Sequence, residues 1–200
     1  MARRLFFEDL KMSFDQIMIH SSSPTFCNIK PGNMFFVRNE DFDKDKYEAW
    51  KEAFFKYGLM TFAKRISESS TAILVLNVCW IRKILADFFV QAYLSGKGYH
   101  TNSALTFVDE LCLRMQNNDG FPHEVGVILG YPVEDVIEFE NHKGHDCKYC
   151  GYWKTYSDVE NAKDCQCKYK DCSCFCDQLY NKGYSLNQII ESYRLYTVAA

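Results

Sequence analysis

Two β-favouring apolar runs, residues 59–66 and 71–78, are separated only by Ser67, Glu68, Ser69 and Ser70. Four small or polar residues leave a chain little choice but to reverse on itself, so the layout predicts a β-hairpin. A lone hairpin is marginal in water and needs further strands or covering helices. The turn signal Lys30-Pro31-Gly32-Asn33 leads into an apolar stretch at 34–37 that reads as one more short strand.

Helical periodicity surrounds this sheet. Ser13 is placed to cap a short helix through His20, which the Ser21–Pro24 stretch should end. Tyr47, Trp50, Phe54 and Tyr57 recur at three- and four-residue intervals within a helix over 43–57 that Gly58 closes. Further helices are expected over 80–94, 102–115, 122–129 and 133–139, with a loop at 117–120. A short aromatic strand over 152–156 should precede a long helix from the Asp158 cap to Lys182 and a last one opened by Ser185. The expected class is α+β: a small, mainly antiparallel sheet surrounded by several helices, with a helical C-terminal half. Without a linker, repeat or low-complexity tract, residues 12–200 read as one domain and residues 1–11 as an extension.

Composition narrows the function classes. Lys and Arg total 23 against 26 Asp and Glu, and a net charge of -3 offers no general attraction to phosphate backbones, so nucleic acid is not an expected partner. Arg3 and Arg4 are followed by Leu5, Phe6 and Phe7, but Glu8 and Asp9 cut that apolar region short of an export signal. The greasiest stretch, 72–94, contains Arg82, Lys83 and Asp87, whereas a bilayer span needs about 20 predominantly apolar residues. No membrane association is expected, and the cytoplasm is the expected location.

Phe121 to Pro132 reads F-P-H-E-V-G-V-I-L-G-Y-P, followed by Glu134 and Asp135, and Cys150 to Tyr156 reads C-G-Y-W-K-T-Y. With Met12-Ser13-Phe14 and Ile29-Lys30-Pro31-Gly32-Asn33, these stretches resemble a bacterial family called domain of unknown function 3793. The resemblance runs from about Met12 to the end. It implies a small cytosolic α+β protein without an assigned activity.

Seven of the ten cysteines fall between Cys147 and Cys176. The leading Cys147-x-x-Cys150 follows His142 and His145, and thiolate and imidazole ligands at such spacing suit tetrahedral zinc. On a helix, residues two apart point about 200° apart. Cys165 with Cys167, or Cys174 with Cys176, therefore cannot share an ion, whereas Cys172 and Cys176, four apart, can. Cys147, Cys150, Cys172 and Cys176 form C-x2-C-x21-C-x3-C, a candidate zinc site; the alternative is that these thiols are small apolar core residues.

His123 and Glu124 invite an acid/base reading, yet neighbours on a helix point about 100° apart and more easily serve separate contacts. Gly130, Tyr131 and Pro132 make a bend. Tyr152 and Trp153 offer faces for a planar ligand, or simply core. Phosphate-loop, dinucleotide, zinc-protease and serine-elbow motifs are absent. The expected function is a binding or interaction module for a protein or small molecule. Its surface would comprise Phe121, Pro122, His123, Glu124, Gly130, Tyr131, Pro132, Tyr152 and Trp153, with a possible cysteine metal site. The competing class is a small enzyme using thiol–disulfide or His123/Glu124 chemistry.

Overall fold

The computed structural model describes residues 12–116 and 121–199. The segment 1–11, read as an extension, and the loop at 117–120 lie outside the described residues. The expected hairpin is present as β2 (Leu59–Arg65) and β3 (Ser70–Asn77), and β1 (Gly32–Arg38) adds to the other edge of β3. The sheet is antiparallel in the order β1-β3-β2, with Phe35 and Ala63 both opposite Ile73.

The central strand is buried on both faces, which explains why it reads as the unbroken apolar run Ala72-Ile73-Leu74-Val75-Leu76 rather than as an alternation. Ile73 and Val75 point into one cluster with Phe35, Val37 and Leu59. That cluster is roofed by α1 (Phe14–Phe26), α2 (Lys44–Phe55), α8 (Val159–Asn181) and α9 (Leu186–Ala199). Ala72, Leu74 and Leu76 point the other way, into a second cluster under α3 (Val78–Leu85), α4 (Phe88–Gly96), α5 (Ala104–Arg114) and α6 (Val125–Ile128). At ~1.5–3 kcal/mol for each fully buried large aliphatic side chain, this strand stabilises both halves. After α6 come α7 (Val133–Asn141) and a two-stranded hairpin of β4 (Tyr149–Cys150) and β5 (Lys154–Thr155).

Four elements differ from expectation. The first helix does not stop at Ser21–Pro24; it passes through Pro24 to Phe26. A proline cannot donate to the carbonyl four residues back. Here that carbonyl, on His20, accepts instead from the Ser173 hydroxyl of α8 at 2.9 Å. The helix expected over 80–94 is two helices, because the Asp87 carboxylate accepts from the Phe89 and Val90 amides at 2.9 and 3.1 Å and so starts α4 afresh. The helix expected over 122–129 shrinks to α6, and the aromatic strand over 152–156 to β5, paired with residues read as polar loop.

The corner after α6 is tight. Gly130 has φ +77°, and a Cβ there would come within 2.5 Å of the Pro31 ring. Gly130→Ala therefore combines left-handed backbone strain with a clash. We expect it to lower unfolding free energy by about 2 kcal/mol in urea titrations; a loss below about 0.5 kcal/mol would show that the Pro31 contact yields freely.

Candidate functional site

The corner and the β4–β5 hairpin converge on a half-open cleft. Phe121, Pro122, His123, Tyr131, Tyr152 and Trp153 all line it, joined by α7 residues and by Lys154. Two interactions hold the hairpin there. Tyr131 stacks on Trp153 with ring centroids 5.0 Å apart, and its hydroxyl donates to the Tyr152 carbonyl at 3.2 Å. Asp135, only 2% exposed, accepts from Trp153 Nε1 at 2.7 Å through Oδ2 and from the Tyr156 and Ser157 amides, both at 2.8 Å, through Oδ1. A carboxylate so fully engaged is an anchor for the hairpin.

The wall of the cleft is mostly apolar and aromatic, and two nitrogen-bearing side chains interrupt it. His123 meets the Phe139 ring edge-on at 4.9 Å. The Lys154 ammonium lies 5.9 Å from the centroid of the same ring and donates to the Gly144 carbonyl; among the described residues it has no carboxylate partner. Glu124 does not line the cleft. It is buried, and its charge adds to the effect of burial on Tyr99, whose hydroxyl is pushed up to about 12. The structure thus separates His123 from Glu124, as adjacent positions on a helical turn would, and forms no dyad from them. Gly130 and Pro132 shape the bend without lining the cleft.

Behind Tyr131 and Tyr152 lies a feature that sequence reading treated only as part of a turn. Lys30 is 3% exposed, and its Nζ sits 5.4–5.8 Å from the ring centroids of Tyr131, Tyr152 and Tyr169. It has no ion-pair partner among the described residues. Burial pushes its ammonium down to about 7, opposed only in part by the nearby Cys165.

The cysteines assemble differently from the expected set. The structure brings Cys172 and Cys176 together on α8, but it places Cys27 beside them, not Cys147 and Cys150. The sulfur atoms of the three lie within 4.8 Å of one another, with Cys27 and Cys176 at 3.6 Å. The β4–β5 hairpin instead meets α8 earlier, where Tyr149 bonds Gln166 at 2.8 Å and Tyr152 packs edge-on against Tyr169. At 1.5 Å per residue, Cys176 is about 15 Å further along the helix than Gln166. Cys150 is exposed and Cys147 half-buried. Within the trio, the contact with Cys172, and then that with Cys27, favours the thiolate of Cys176 and holds it below the usual thiol range. The contact with Cys176 pushes Cys172 up, and the contacts with Cys172 and then Cys176 push Cys27 up. A usable signal for Cys27 existed: on a helix continued through Pro24 it shares a face with Ile19 and Ser23.

Among the described residues, no helix is long and apolar enough to cross a membrane. Fold and site together define a small α+β protein with an aromatic corner cleft and a separate buried thiol cluster. The chain belongs to the family described as protein of unknown function (DUF3793), whose model matches residues 18–190. No curated protein and no solved structure matches it.

Proposed function

We propose that this protein is a cytosolic binding module that takes a small planar aromatic molecule bearing an anionic group into the cleft at the Phe121–Pro132 corner. The observation carrying this reading is that a mostly apolar wall is interrupted by a lysine without a carboxylate partner among the described residues, while the acidic side chain in the wall is already saturated by three donors. Rings gain from stacking and edge contacts with Tyr152, Trp153 and Phe139. The anionic group gains a charge-assisted hydrogen bond from Lys154, with His123 as a neighbour.

Naphthalene-2-sulfonate is a suitable probe, titrated calorimetrically into the full chain. Binding is expected, and Lys154→Met should weaken it about tenfold, the equivalent of about 1.4 kcal/mol. The remote surface change Lys163→Met should leave it unaltered. Absence of heat up to millimolar probe, or equal affinity in Lys154→Met, would remove the proposal.

A further inference from the structure

We propose that Cys27, Cys172 and Cys176 form a three-coordinate thiolate site for copper(I), buried between the end of α1 and the middle of α8. Copper(I) and zinc are both thiophilic, whereas calcium and magnesium demand oxygen ligands, so the donor set narrows the choice to soft ions. Number and setting narrow it further. Structural zinc takes four ligands, and among the described residues no fourth His, Cys, Asp or Glu joins the three sulfurs. Copper(I), a closed-shell monovalent ion, is satisfied by three thiolates in a plane.

The geometry fits that arrangement. Metal–sulfur bonds of about 2.3 Å in a trigonal plane separate the sulfurs by about 4 Å. The trio already stands within 4.8 Å, with one edge at 3.6 Å, so closing on an ion needs shifts of a few tenths of an ångström along each side chain. Cys172 and Cys176 are fully buried and Cys27 is 8% exposed, which makes the α1 end the entry side. Tyr193 is buried in the same apolar cluster as the three cysteines, which keeps water from the sulfurs. Binding displaces thiol protons to solvent and changes no oxidation state. The site is independent of the corner cleft, which shares none of its residues.

The test uses the reduced full chain, handled anaerobically and loaded with copper(I). It is then challenged with excess bathocuproine disulfonate, a copper(I) chelator, because the exposed cysteines will hold some copper loosely. Wild type and a Cys147→Ser, Cys150→Ser variant should each retain one copper per chain, with X-ray absorption showing sulfur neighbours only, three of them at about 2.3 Å. Cys27→Ser, at the accessible edge, should lose the ion while keeping its circular dichroism spectrum. Loss of all copper from wild type to the chelator would overturn the proposal. So would equal retention in Cys27→Ser, or a sulfur count other than three in the wild-type spectrum.

Discussion

Asp135→Ala is expected to lower the unfolding free energy by about 3–5 kcal/mol, since it orphans three N–H donors at about 1–3 kcal/mol each and water entering the vacated space recovers part of that loss. That is a large fraction of the ~5–15 kcal/mol that typically holds a domain together. The side chain satisfies one indole and two backbone N–H groups, and alanine leaves all three without an acceptor. The arrangement also grades a milder substitution. Both amides bond Oδ1 and the indole bonds Oδ2, so asparagine can keep the amides by presenting its one carbonyl oxygen to them. Its NH₂ then opposes the Trp153 N–H. Asp135→Asn should therefore cost less, about 1–3 kcal/mol, and Trp153→Phe should cost less in that background than in wild type. Urea titrations of wild type, the three single variants and the Asp135→Asn, Trp153→Phe double variant measure this, and a loss below about 1 kcal/mol in Asp135→Ala would show that the hairpin does not depend on the carboxylate.

The second large effect concerns Lys30. Three tyrosine rings attract its ammonium, but at 5.4–5.8 Å they stand near the outer limit of ~6 Å for such attraction, so the loss of hydration dominates. In the folded chain the group titrates at about 7, against an ordinary 10.5. Between those values the unfolded chain keeps the proton and the folded chain sheds it. Raising the pH through this window therefore favours folding, by up to about 1.4 kcal/mol per unit. Below about 7 the folded chain must bury a charged ammonium, and the cost is at its fullest. Lys30→Met removes the titration, so its stability advantage over wild type should be greatest near pH 6 and shrink by roughly 2–3 kcal/mol by pH 9. Urea unfolding of both proteins across that range gives the difference directly, and parallel curves would mean that Lys30 keeps its proton in the folded state.

Elements whose information is local were legible in the sequence. The β2–β3 hairpin, the amphipathic α2 and the long α8 with its Asp158 cap follow from periodicity and capping residues within a few positions. Features settled by distant partners were not. The passage of α1 through Pro24 depends on a hydroxyl at position 173, and the pairing of Cys27 with Cys176 spans 149 residues. At the cleft, the corner motif and the Tyr152–Trp153 pair named residues that line one concavity, because aromatic side chains crowded around Gly and Pro mark a bend that others pack against. The contribution of Lys154 was hidden: a lysine within a short aromatic strand carries no mark distinguishing a cleft wall from open surface.

The alternation along β3 bears on how such a chain comes apart. Ile73 and Val75 serve one cluster, Leu74 and Leu76 the other, and the backbone between them is a single hydrogen-bonded strand. A strand cannot fray for the benefit of one face only. Opening either helical layer to solvent wets half the side chains of the strand that orders the opposite layer, so the two layers are tied into one cooperative unit, and amide protons of β3 exchange only when both have gone.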